Sequence, residues 1–234
     1  RHMKCIDVDF GTQWDLIKLM GLKIETLPKK DRKCALVIDE TQIQSKREYD
    51  PSTGEMIGHP TLPTGSALLA KRKDLGIDKE PVLATHVLNA LCVGLVKFWK
   101  QLIGFHLTDA SFCPYHGALW IREMLKALFD IGLEVLVIVH DMGPMNQAMW
   151  HEFGIIVNGS PESPIVQGVA KIEVNGEEKD VHFYPDPSHA LKGISNGLIN
   201  NKTITLSQEE VDLYELPSDT VEWAVIQRLV DYQR

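Results

Sequence analysis

The sequence predicts an α/β architecture, and three observations carry that prediction. Two short continuous apolar runs, Cys34 to Asp39 (CALVID) and Val135 to Val139 (VLVIV), have the length and composition of strands covered on both faces. Segments of helical period lie between and after them, so strands and helices alternate along the chain. The composition is that of an ordinary folded domain, with 234 residues, 44% hydrophobic and 24% charged. A chain of this size buries roughly 70% of its unfolded surface and needs neither disulfides nor a structural metal to hold a core.

The elements follow in order. Arg1-His2-Met3 reads as the remnant of an expression tag. Residues 10 to 22 predict a short amphipathic helix through Leu16, Ile17 and Met20, with Gly21 as its stop, and residues 27 to 33 (LPKKDRK) predict a basic linker. After CALVID, Asp50-Pro51-Ser52-Thr53-Gly54 is a turn signal, so residues 41 to 49 and 56 to 62 predict a hairpin. Residues 63 to 80 read as a lysine-rich surface excursion. The apolar stretches 82 to 96 and 102 to 108 are ambiguous between strand and helix by periodicity alone. Pro114 opens a clear helix marked by Leu119, Ile121, Leu125, Leu128 and Phe129, which Gly132 ends.

VLVIV leads through His140-Asp141 to a second short helix over about 145 to 153, closed by Gly154. Asn175-Gly176 predicts a hairpin over 169 to 184, and residues 188 to 199 are helical by pattern. Ser207 with Glu210, and Asp219 with Glu222, have capping-box spacing and predict two more helix starts. The last helix is apolar at Val221, Val225, Ile226, Leu229 and Val230. The expected organisation is an N-terminal remnant and linker over 1–30, a core over 31–200, and the start of a helical region over 201–234.

Charge and cysteine usage narrow the function classes. The net charge of −8, from 24 basic and 32 acidic residues, excludes a surface that is basic all over, so any nucleic-acid contact must use a local patch. The four cysteines (Cys5, Cys34, Cys92, Cys113) show no C-x-x-C pair, which excludes a disulfide framework and a zinc ribbon and suits free thiols in a reducing compartment. No apolar run approaches the roughly 18 residues of a membrane helix, and no signal peptide is visible, so a soluble intracellular chain is expected.

Both apolar strands deliver a carboxylate at their carboxyl end, Asp39 and Asp141. In α/β sheets functional groups collect there, and on parallel neighbouring strands these two converge. Two carboxylates in one site need a cation or a proton between them, and hard oxygen ligands suit Mg²⁺ or Mn²⁺. An Asp just past a strand also serves as a helix cap or turn residue, and the residues alone leave both readings open. Glu40 faces away if the strand continues.

Other residues divide in the same way. Cys113-Pro114-Tyr115-His116 has half the donors of a zinc site but suits a helix start better. His140 either tunes the carboxylate site or packs on the opposite side of the strand. Asn146 and Gln147 either position a ligand or hold the following turn. Asp186, His189 and Lys192 form either a site or a structural network. Lys71, Arg72, Lys73, Lys97 and Lys100 form a phosphate-facing set or a solvated surface.

Four segments, in order over residues 34 to 200, resemble the P-element-type transposases, the family that includes transposase-derived THAP-domain proteins. They are CALVIDETQIQSKREYDPSTGEMIG; ATHVLNALCVGLVKFWKQLIGFHLT with its Trp99-Lys100-Gln101 step; VIVHDMGPMNQAMWHEFGI with Asp141, Gly143, Asn146 and Gln147; and DPSHALKGISNGL with Asp186, His189 and Lys192. The resemblance implies an RNase H-like mixed β-sheet flanked by helices, followed by the beginning of a helical insertion domain. It implies that Asp39 and Asp141 are two of three acids that bind two Mg²⁺ or Mn²⁺ ions and cut and join DNA, the third lying beyond a GTP-binding insertion. Lys192 matches a lysine leading into that insertion and is carried as a GTP phosphate contact.

On this resemblance the fragment is expected to be inactive alone, without the third acid and without the family's zinc-dependent THAP domain. The full-length protein is expected to be a nuclear, homo-oligomeric enzyme acting on transposon ends and target DNA. The competing expectation is a host-adopted regulator that binds DNA or protein without cleaving it.

Overall fold

Gly11–Thr12 (β1) forms one edge of the main sheet and leads into α1 (Trp14–Glu25), which buries Ile17 and Ile24. Gly21 does not stop this helix. A Cβ there would lie 3.2 Å from Ile131 Cγ2, so the glycine lets the helix approach that side chain while its backbone stays helical. A 3-10 turn over Lys29–Arg32 enters β2 (Lys33–Gln42), longer at both ends than the apolar run alone. The hairpin that follows is shorter than predicted, β3 (Glu48–Asp50) with β4 (Glu55–Ile57). The surface excursion contains a helix, α2 (Ser66–Asp74). The structure, a computed structural model, describes residues 9–51, 53–77, 81–109, 111–156 and 168–232; Cys5 lies outside them.

The ambiguous apolar stretches are both strands, β5 (His86–Gly94) and β6 (Lys100–Thr108). Burial in β5 alternates with period two, as a strand with one covered face requires. Next come α3 (Pro114–Asp130), β7 (Glu134–His140) and α4 (Pro144–His151). A hairpin of β8 (Val169–Val174) and β9 (Glu177–Pro185) turns at Asn175 and Gly176, whose φ of 54° and 81° fit the type I′ turn that this dipeptide favours. Strand order across the seven-stranded sheet is β1-β6-β5-β2-β7-β9-β8. β2 runs antiparallel to β5 and parallel to β7, so the sheet is mixed.

Leu36, Ile38, Leu88, Ala90, Cys92 and Ile103 are buried, and α3 contributes Trp120, Ile121, Met124, Leu125 and Leu128 to the same core. Cys34 and Cys92 are free thiols within it; the neighbouring Cys34 thiol, together with burial, pushes Cys92 far above the ordinary thiol range. Cys113 is free as well and precedes Pro114 at the start of α3, the helix-start role rather than a zinc half-site.

The chain divides into two compact units, Arg1–Tyr184 and Pro185–Arg234. The second contains α5 (Pro187–Asn201), β10 (Thr203–Thr205), α6 (Gln208–Leu213), β11 (Thr220–Glu222) and α7 (Trp223–Tyr232). Ser207 and Glu210 form the predicted capping box on α6. Asp219 and Glu222 do not start a helix: residues 220–222 pair antiparallel with Thr203–Thr205, and α7 begins only at Trp223. Among the described residues, no helix is long and apolar enough to cross a membrane.

Candidate metal centre

The parallel pairing of β2 and β7 decides the geometry of the site. Val37 is in register with Val139, so Asp39 and Asp141 both lie two residues further on; Asp141 follows the end of β7, whereas Asp39 is still inside β2, which continues to Gln42, and is not the strand-end residue the apolar run predicted. A carboxylate oxygen of Asp39 and one of Asp141 lie within 4.8 Å of each other. Oxygens bound to one Mg²⁺ at about 2.1 Å each are at most about 4.2 Å apart, so the pair fits a shared divalent ion with little adjustment.

The two carboxylates are held differently. Asp39 is exposed, and its Oδ1 accepts the backbone N–H of Glu40 at 2.9 Å. Asp141 is half-buried, and its Oδ1 accepts two donors, the Gly143 N–H at 2.8 Å and Asn146 Nδ2 at 2.6 Å. Asn146 sits in the first turn of α4, so the helix start fixes the orientation of Asp141. A Cβ at Gly143 would stand 3.0 Å from Asp141 Oδ1, which explains a glycine there. Gln147 instead donates Nε2 to the Met142 carbonyl at 2.8 Å and holds the turn.

His140 packs in the core behind the site. It is fully buried, its ring meets Trp150 edge-on at 6.1 Å, and neither ring nitrogen has a hydrogen-bond partner among the described residues. Burial pushes the ring down to about 4, against the opposing pull of the Asp141 charge. Glu40 turns to the other face, where its Oε1 accepts from Thr108 Oγ1 at 2.5 Å.

Asn89 was not singled out from the sequence, yet it pairs directly with Asp39 across β2 and β5 and therefore shares its face. Its one sequence signal is a lone amide in the apolar run HVLNALCV.

The basic residues separate. Gly94 pairs with Cys34, five residues back from Asp39, so the turn carrying Lys97 lies about 17 Å down the sheet at roughly 3.3 Å per residue. Lys100, which pairs with Val93, belongs to that far end as well. Neither flanks the acidic pair. Lys71, Arg72 and Lys73 occupy the last turn of α2, where Arg72 Nη2 donates to the Ile77 carbonyl at 2.9 Å.

In the second unit Asp186 caps α5, accepting the Ser188 N–H at 2.9 Å, and its Oδ2 lies 2.6 Å from His189 Nδ1. The His189 hydrogen bond, with that of Ser188, holds Asp186 below the usual carboxylate range. Lys192 is exposed on the same helix.

A mixed sheet with paired carboxylates on adjacent parallel strands is the arrangement that the RNase H-like resemblance implied. The chain belongs to the TNP-like, RNase H N-terminal domain family, whose profile matches residues 8–154. Among individual proteins, it is similar to the transposable element P transposase of Drosophila melanogaster, 26% identical over 211 residues, which cover 88% of this chain and 23% of that protein. Its fold is similar to that in the Drosophila P element transposase strand transfer complex, with a TM-score of 0.62 at 22% identity, over 90% of this chain and 40% of the other. The chain thus spans about a quarter of the length of that curated relative.

Proposed function

We propose that this chain supplies the first two metal-binding acids, Asp39 and Asp141, of a DNA transposase that cleaves and joins strands with Mg²⁺ or Mn²⁺. The observation that carries the reading is the approach of the two carboxylates to within 4.8 Å on adjacent parallel strands. Divalent ions in such a site activate the attacking oxygen and stabilise charge on the departing one. The chain's own part is positional: Asp141 is locked by Gly143 and Asn146, while exposed Asp39 keeps an oxygen turned to solvent and able to adjust as an ion arrives.

The family resemblance supplies the rest of the reading. The third acid comes from a later part of the protein, so cleavage requires the longer chain. DNA is the partner, in keeping with the relative's strand transfer complex. With a net charge of −8, contact is confined to local cations such as Lys71 and Lys73 on α2. Lys192 contacts GTP phosphate, and the full-length protein works as a homo-oligomer in the nucleus.

Mn²⁺ titration with detection by electron paramagnetic resonance tests the metal reading. The wild-type chain binds Mn²⁺, and its amide signals around residues 39–41 and 141–143 broaden. Asp39→Ala and Asp141→Ala each weaken binding at least tenfold. Equal binding by wild type and both variants overturns the paired site.

A further inference from the structure

Directly behind Asp141 the first unit buries a group of polar atoms without partners. Both ring nitrogens of His140, the Oδ1 of Asn146 and the Nε1 of Trp150 are sealed from solvent, and none meets a hydrogen-bond partner among the described residues. Their residues are 0%, 8% and 2% exposed. A buried polar atom left unsatisfied carries its full desolvation penalty, so four among neighbouring residues call for an explanation.

The orientation of Asn146 is the key. Its Nδ2 donates to Asp141 Oδ1 at 2.6 Å. Flipping the amide would set its oxygen against the carboxylate, so the charge of Asp141 fixes which end faces it. The amide oxygen is then the end left over, and like both ring nitrogens of His140, the residue next to Asp141, it is buried without a partner among the described residues. An imidazole has an N–H to give in either protonation state. Trp150, whose ring lies 6.1 Å from that of His140, brings its own buried N–H.

We propose that His140 is a positioning residue for the metal centre: its ring N–H donates to Asn146 Oδ1, which holds Asn146 Nδ2 on Asp141 Oδ1. With Gly143 on the same oxygen, the relay ties down one side of the carboxylate and leaves Oδ2 to meet the cation. A bond between the His140 ring and Asn146 Oδ1 satisfies two orphaned atoms at once. The inference rests on the metal reading above for its purpose, but its hydrogen bonds exist with or without an ion. Partners that orient a metal ligand from behind are worth about 10- to 100-fold in metal affinity.

The test begins on the wild-type chain, where no variant has to fold. Long-range ¹H–¹⁵N correlation at pH 7 reads the His140 tautomer and the exchange of its ring proton. The proposal expects one tautomer and a slowly exchanging N–H; a mixture of tautomers or a freely exchanging proton overturns it. His140→Phe, which keeps a ring against Trp150, should then move the Asn146 side-chain amide signals and weaken Mn²⁺ binding about tenfold. His140→Gln, which restores an N–H donor, should recover most of that affinity. Wild-type Mn²⁺ affinity in a folded His140→Phe, or no recovery in His140→Gln, overturns the positioning role. If the wild-type chain binds no Mn²⁺, the metal reading fails. The tautomer and the Asn146 shift then still decide whether the relay exists.

Discussion

Gly104 shows how closely single residues constrain the sheet beneath the site. A Cβ built there would lie 2.8 Å from Trp120 Cζ2, 3.1 Å from the Gly11 carbonyl and 3.2 Å from Met124 Sδ. Helix α3 and edge strand β1 both press on this point, so neither neighbour yields without moving the other. Gly104→Ala should therefore overpack the core and cost about 1–3 kcal/mol, read as a lower urea midpoint with an unchanged slope. An unchanged midpoint would mean that the helix shifts freely over the sheet. Asp39 and Asp141 were legible in the sequence because each follows an apolar run, although only Asp141 marks the end of its strand. The need for Gly104 was not legible, because the side chain that demands it, Trp120, belongs to a helix sixteen residues later. The orientation of Asn146 was hidden for the same reason: both a ligand role and a turn role suit its position, and only the placement of Asp141 chooses.

At the scale of elements, two segments with the same local pattern take opposite conformations. Ser207 and Glu210 exchange side-chain and backbone hydrogen bonds at the start of α6, at 2.9 and 3.3 Å. Asp219 and Glu222 have the same spacing, yet Asp219 Oδ1 accepts from Thr220 Oγ1, and residues 220–222 pair with β10. A partner strand 17 residues upstream outweighs a cap worth about 1 kcal/mol. Strands β5 and β6 were ambiguous for a related reason: periodicity cannot distinguish a buried strand from a buried helix until a neighbouring strand is known. On α6, a helix of six residues and marginal by itself, the cap should matter. Ser207→Ala should speed exchange of the Glu210 amide about fivefold, the factor that about 1 kcal/mol implies. Asp219→Ala should leave the start of α7 where it is. Protection lost at Trp223 in that variant would restore the capping-box reading of Asp219.

For the molecule as a whole, acid stability follows from two histidines in the first unit, His140 fully buried and His106 half-buried. Burial pushes His106 and His140 each down to about 4, against an ordinary value of 6.5. His106 also meets Thr61 Oγ1 at 2.8 Å and the edge of Trp120. The sign follows from proton counting. Between pH 6.5 and 4 the unfolded chain binds protons at these rings that the folded chain refuses, so stability drops as the pH falls through that window. Above pH 7 both states leave the rings neutral and the effect vanishes; below about 4 both states bind the protons and no further loss comes from these groups. Each refused proton steepens the dependence by about 1.4 kcal/mol per pH unit at most. The carboxylates of half-buried Asp186 and exposed Glu210, held below their ordinary range, contribute only at lower pH, so the interval from 7 to 5 isolates the histidines. Urea unfolding across that interval should show a falling midpoint, and His106→Gln, which keeps a polar side chain beside Thr61, should flatten the fall by up to one proton. A midpoint independent of pH from 7 to 5 would show that both rings take up protons in the folded sheet. The closed core around Trp120 and Trp150 would then be wrong, and with it the buried setting that holds Asp141 in place.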